Sequence, residues 1–302
     1  SRSIAIKKNI IASLFLKGIS ILVSLQVVPL TINYINPTRY GIWLTLSSIV
    51  AWLSYFDLGF AHGFRNRFAE AVAKGDMQLA REYVSTTYVV LSLLFSSVFL
   101  IAIVVNHFVD WSAILNVDAA YSSELNIVFG ILAFFFCLNI VASIFTTMLT
   151  ANQKPALASL IQTLGQVFGF ICIYILTKTV PGNLDVLAFA FSGVPCFLLI
   201  IISIGMFLSG RYRHLSPSFH FVHFSLTKKI VGLGGQFFII MISMLFVFQL
   251  INIVISRVAG PMAVTQYNIA YKYFNVLVMS VNPGNAGQMY LQYVGKKITK
   301  LL

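Results

Sequence analysis

Residues 41–76, GIWLTLSSIVAWLSYFDLGFAHGFRNRFAEAVAKGD, carry no charge from Ile42 to Tyr55 and then meet Asp57, Arg65 and Arg67 in quick succession. An apolar run of this kind suits a helix in hydrocarbon, and the acid behind it is a costly residue to place there. The pattern extends over all 302 residues, of which 59% are hydrophobic and 9% charged, far from the roughly 25% charged fraction of ordinary globular domains. A spanning helix needs about 20 largely apolar residues, and the runs here reach that length; a membrane barrel would alternate over ~10-residue segments instead. The fold class is therefore an all-α integral membrane protein. The first run, residues 9–34, is too long for a signal-peptide core and lacks a small-residue cleavage site. It is read as a retained helix.

About eight transmembrane helices are predicted, at residues 9–34, 40–60, 82–106, 124–150, 156–177, 185–208, 229–256 and 263–281. The breaks carry turn chemistry: Asn36-Pro37, Lys74-Gly75-Asp76, Lys154-Pro155 and Pro181-Gly182-Asn183. With the amino terminus inside, fifteen of the twenty Lys and Arg residues fall in inner segments, Arg39, Lys178 and Arg257 lie outside, and Lys17 and Lys272 lie within helices. This asymmetry puts both termini in the cytoplasm. It also accounts for the net charge of +12 without a nucleic-acid partner. Cys137, Cys172 and Cys196 sit in apolar runs with neither pairing nor metal-ligand spacing, and read as small core residues.

The longest polar connection, residues 209–227, separates an amino-terminal six-helix lobe (1–208) from a partial second lobe of two helices (228–281), followed by a basic cytoplasmic tail (282–302). It reads as a solvated basic cytoplasmic linker. The two sides share features at nearly constant offsets. Lys7-Lys8 precedes helix one as Lys228-Lys229 precedes helix seven, Asn36-Pro37 matches Gly260-Pro261, and Asp57-x-Gly59 matches Asn282-x-Gly284. Such internal repeats with a site between them are a recurring transporter plan.

The sequence RYGIW at residues 39–43, followed by FDLGFAHGFRNRFAEAVAKGD at 56–76, resembles the amino-terminal part of the polysaccharide-biosynthesis flippases, which include O-antigen transporters. These belong to the superfamily that also holds the multidrug and toxin extrusion antiporters. The resemblance implies two six-helix bundles forming a V around a central cavity. Through it a polyprenyl-diphosphate-linked oligosaccharide would cross the bacterial inner membrane by alternating access, with membrane lipids and other polysaccharide-assembly proteins as partners. Family members have at least twelve helices, whereas the second lobe here stops after two. The chain is then a fragment or needs a partner to close the cavity. The alternatives are an ion-coupled multidrug antiporter of the same superfamily and an inactive truncated transporter.

Charges inside the spans are the candidate site. At 1.5 Å per residue, Lys17 lies about 10 Å deep from the inside and Asp57 about 25 Å along its helix from the outside, so the two are level enough to pair. Alternatively, Lys17 binds a diphosphate oxygen and Asp57 a coupling proton or sodium ion. Lys272, about 14 Å from the outer face, is too deep to snorkel and is assigned to the substrate anion. Arg65 and Arg67 read either as an anchor beside anionic headgroups or as receivers of the diphosphate, whose oxygens suit the planar guanidinium fork. The amides Gln26, Asn33, Gln162, Gln166, Gln236, Gln249, Asn252 and Asn275 can bond sugar hydroxyls or neighbouring helices, and none of them is singled out.

Enzymatic signals are missing from the sequence. The GLGG run at 232–235 lacks the lysine and strand context of a nucleotide loop, and His214, His220 and His223 lack the spacing and companions of a metal site. No cofactor is expected beyond a coupling ion. An acid-lined cavity, as a cation antiporter needs, is disfavoured by the balance of Asp57 against Lys17 and Lys272.

Overall fold

Turn chemistry sets most of the helix boundaries in the computed structural model, which describes residues 2–53, 59–210, 212–232 and 250–281. Helix α1 (Arg2–Ile35) ends at Asn36, whose φ of 73° sits in the left-handed region and whose side chain accepts from the backbone N–H of Arg39. Pro37, with its φ already helical and no N–H to satisfy, opens α2 (Pro37–Ala51). Asp76 caps α4 (Met77–Phe108) through Leu79 N–H, Asp110 caps the short α5 (Trp111–Leu115), and Asn183 caps α9 (Leu184–Leu208). Between them lie α3 (Phe60–Ala73), α6 (Ser122–Ala142), α7 (Ile144–Ala151) and α8 (Pro155–Thr179). Beyond 212–232, α10 (Leu250–Ala259) and α11 (Pro261–Val281) follow.

Among the described residues, five helical stretches are long and apolar enough to cross a membrane: Ile11–Ile35, Met77–Phe108, Ala119–Ala151, Pro155–Thr179 and Leu184–Leu208. Their outward faces are greasy: Phe15 is 70% exposed, Leu100 65% and Ile201 69%, as lipid-facing side chains should be. The protein is an all-α, multi-pass membrane protein. Cys137 and Cys196 are buried and Cys172 is partly so.

The predicted second helix, 40–60, is corrected. α2 stops at Ala51, giving about 22 Å of helix against the ~30 Å of hydrocarbon, and Trp52–Leu53 tighten into a 3-10 turn. Gly59, at φ 75°, then starts a separate helix, α3, which packs on α4 and α7. The stretch read as an anchor beyond the membrane is thus a helix whose buried face, Phe60, Phe64 and Phe68, belongs to the core. Of the predicted seventh helix, residues 233–249 lie outside the described residues, as do Asp57 and the 282–302 tail.

Close approaches lock the bundle. Pro195 of α9 seats against Gly165 and Gly169 of α8, small residues that let membrane helices come near. Helices α2 and α11 meet reciprocally near their amino-terminal ends. Thr265 of α11 donates to Pro37 O at 2.6 Å, and Gly41 of α2 lies against Pro261 O so closely that a Cβ there would overlap it. Pro37 and Pro261 differ by 224 positions (261 − 37), as do Gly41 and Thr265 (265 − 41). Gly260 before Pro261 has φ 81°, the counterpart of Asn36 before Pro37. Positions related by the offset noted in the sequence thus meet in a reciprocal pair of contacts. Asn252 to Ser48 at 2.6 Å, Ser256 to Leu115 O at 2.9 Å and Arg257 to Ala113 O at 2.6 Å extend this clasp.

The 209–227 connection is the second correction, because it is packed and not solvated throughout. Tyr212, 1% exposed, accepts from Lys154 Nζ at 3.0 Å, and Arg81 of α4 donates to Ser216 O at 2.9 Å while covering the Phe221 ring at 4.2 Å. Ser85 and Thr86 accept from the backbone N–H groups of Ser218 and His223. The polar segment satisfies its backbone on α4 instead of in water.

Candidate functional site: a basic, branched cavity

Three adjoining chambers run through the bundle. The inner one, about 440 Å³, lies between α1, α3, α7 and α8 and is lined by Lys17, His62, Arg65 and Gln162, with Thr146, Thr147 and Thr150 from α7. His62 and Gln162 are exposed, so this chamber opens outside the protein. A second chamber of about 450 Å³ shares Lys17, Ser20 and Gln166 with it and adds Tyr40, Asn268, Tyr271 and Lys272. A side pocket of about 160 Å³ leaves the second at Ser24, Gln166 and Lys272 and is otherwise apolar, with Val27, Phe170, Ile173 and Phe191 around it. Gln166 borders all three chambers, and its side-chain oxygen accepts from Ser20.

Among the described residues that line these chambers, the basic ones are Lys17, Arg65 and Lys272, with His62 beside them, and none is a carboxylate. The helices explain how these groups converge. Lys17, Ser20 and Ser24 follow one face of α1 at i, i+3, i+7 spacing, and Asn268, Tyr271 and Lys272 occupy a matching face of α11. Such a surface offers fixed cations to an anion and hydroxyls and amides to a polar, uncharged group.

Three of the candidates from sequence, Lys17, Arg65 and Lys272, meet in this space, and Arg67 does not. Its guanidinium bonds Glu70 at 3.0 Å and Lys229 O at 3.3 Å, on the side of α3 away from the chamber. Asp57, the candidate coupling acid, lies outside the described residues, so its level relative to Lys17 stays an expectation. The α7 threonines were missed in the sequence. Their T-T-x-x-T spacing at 146–150 was a legible signal, but hydroxyls that bond their own helix carbonyls, as these do, are common in membrane helices.

At the foot of α3, Glu70 is held below the ordinary carboxylate value of 4.5 by its hydrogen bond from Lys74 and then by that from Arg67. A depressed folded value means that Glu70 supports the fold above its unfolded pKa and loses that support as pH falls through the folded one. Thermal melts of wild type and Glu70→Gln should therefore converge on acidification below about pH 4 and separate slightly at neutral pH. A gap that widens in acid would contradict the assignment.

The fold and the cavity define a multi-pass helical membrane protein with a basic, polar interior space. The model of the polysaccharide biosynthesis protein family matches residues 6–287, and the chain belongs to that family. No curated protein sequence matches the chain. Among solved structures, an inward-facing multidrug resistance MATE family transporter of the MOP superfamily is similar in fold. It has a TM-score of 0.62 at 14% identity, over 84% of this chain and 60% of that one. The chain thus spans about 60% of the length of that transporter.

Proposed function

We propose that the protein carries a polyprenyl-diphosphate-linked oligosaccharide, an O-antigen or other surface-polysaccharide repeat unit, across the bacterial inner membrane by alternating access, with both termini cytoplasmic and no catalysis of its own. The observation that carries the proposal is the set of Lys17, Arg65 and Lys272 around connected chambers without a described carboxylate. A diphosphate cannot cross hydrocarbon unaided, so cations belong along its route. The hydroxyls and amides of the inner chamber suit a glycan, and the outer clasp leaves the inner chamber as the entry. The antiporter reading would need acids facing the cavity to attract organic cations, and the described lining runs the other way.

The test is binding of a short polyprenyl diphosphate and of the matching polyprenyl alcohol to the purified protein. The wild type should prefer the diphosphate, with the preference falling as salt rises. Lys17→Ala and Lys272→Ala should each weaken diphosphate binding about tenfold, the lower end for a hydrogen bond to a charged group, and leave the alcohol unchanged. In cells lacking glycan export, the full-length double variant should fail to complement, whereas Lys17→Arg with Lys272→Arg should restore part of the activity. Equal affinity for diphosphate and alcohol would overturn the proposal.

A further inference from the structure

The strap formed by residues 212–227 has a side left exposed among the described residues. Of its three phenylalanines, Phe221 lies under Arg81, whereas Phe219 is 87% exposed and Phe224 62% exposed. Two bare aromatic rings in water would be costly, so their depth decides what they meet. Two rulers give it. Along α4, Thr86 lies 20 residues below Asn106 (106 − 86), about 30 Å of helix, which is the thickness of the hydrocarbon. Asn106 donates to Asn126 O near the start of α6 and accepts from Trp111 Nε1 at the start of α5, where the chain turns between helices, and so marks the outer edge. The strap hangs from Ser85 and Thr86 through the N–H groups of Ser218 and His223, so it lies at the opposite edge. Along α9, Leu208 is 74% exposed, an aliphatic side chain that needs lipid around it. Ser209 and the strap follow directly.

Both rulers put Phe219 and Phe224 at the headgroup level, where aromatic side chains gather. The charges agree. From Ser209 to Gly232 the sequence contains no acid, and Arg213, His214, His220, Lys228 and Lys229 are exposed. Glu82 of α4, the acid facing the strap, is turned to His223 at 3.7 Å. Basic side chains beside aromatic rings at a bilayer edge attract anionic lipid headgroups. We propose that the strap is a membrane-docking surface, with Phe219 and Phe224 inserted between anionic lipids and the basic side chains on their phosphates. The strap runs into Lys229 and Ile230, whose carbonyls touch Arg67 and the Gly63 backbone of α3. It thereby ties the lipid surface to the helix that carries His62 and Arg65 into the inner chamber.

Spin labels placed by Phe219→Cys and Phe224→Cys, after replacement of the accessible Cys172, test this in nanodiscs of phosphatidylglycerol and phosphatidylethanolamine. Gln78→Cys, eight residues (86 − 78) or about 12 Å further from the membrane along α4, is the aqueous control. Both strap labels should collide several-fold more with dissolved oxygen, relative to a water-soluble nickel complex, than the control label does. Replacing phosphatidylglycerol by phosphatidylcholine should shift both towards the control. Strap labels that match Gln78→Cys would overturn the docking surface, and unchanged depth in phosphatidylcholine would overturn the anionic preference. The three labelled positions are exposed, and monodisperse elution of each variant confirms that the fold is kept.

Discussion

Gly41→Ala should lower the thermal stability of the protein by about 1–3 kcal/mol, the usual cost of forcing extra volume into a packed contact. The reason is the kind of atom that a new Cβ meets. At Gly41 it overlaps the carbonyl oxygen of Pro261 and approaches the hydroxyl of Thr265. A carbonyl fixed at the first turn of α11 cannot rotate away as a flexible side chain would, so α11 must shift as a body. That shift would strain the hydrogen bonds from Thr265 to Pro37 O and from Asn252 to Ser48. Thr265→Val, which removes one of these bonds without adding volume, should cost about 1 kcal/mol. Gly205→Ala is the internal control: a Cβ there meets nothing within 4 Å, and alanine favours a helix by up to about 1 kcal/mol over glycine. Melting curves in one detergent order the variants, and a Gly41→Ala melt equal to wild type would remove the clasp from the account. Because the clasp joins α2 to α11, a loosened variant should also admit water-soluble thiol reagents more readily to a cysteine placed at Asn268.

Much of this architecture can be read from sequence because local chemistry and long-range packing agree there. Asn36-Pro37, Asp76 and Asn183 end or begin helices through their own side chains or fixed φ, and hydrophobic length sets the spans between them. The offset between Asn36-Pro37 and Gly260-Pro261 likewise picks out two helix starts that the Gly41 and Thr265 contacts bring together. What could not be read was where a continuous apolar run stops being a helix. Residues 42–55 contain no proline or charge to mark the end of α2 at Ala51, and the left-handed turn at Gly59 looks in sequence like any glycine near a membrane edge. The strap was misread for a related reason. Its polar composition suits water, yet its backbone bonds are taken up by Arg81, Ser85 and Thr86 more than 130 residues away, and no local signal carries that.

The misplaced end of α2 also explains why two neighbouring arginines were given one role. Taken as an irregular flank, residues 60–76 offer no reason to separate Arg65 from Arg67. Taken as helix α3, they separate at once, because positions two apart on an α-helix point to nearly opposite sides. Arg65 faces the inner chamber with Lys17 and His62, and Arg67 faces Glu70 and the carbonyl of Lys229. Single substitutions should therefore split binding from stability. Arg65→Ala is expected to weaken polyprenyl diphosphate binding about tenfold or more, the loss of at least one hydrogen bond from a charged donor, with the melting temperature kept. Arg67→Ala should leave that affinity unchanged and lower stability by no more than about 1 kcal/mol, since its ion pair with Glu70 and its bond to Lys229 O are both partly solvated. Arg65→Lys keeps the charge but loses the planar fork, so it should recover only part of the affinity. The reverse pattern, with Arg67→Ala losing affinity and Arg65→Ala losing stability, would mean that α3 presents its other face to the substrate and that the chamber as drawn is not the binding site.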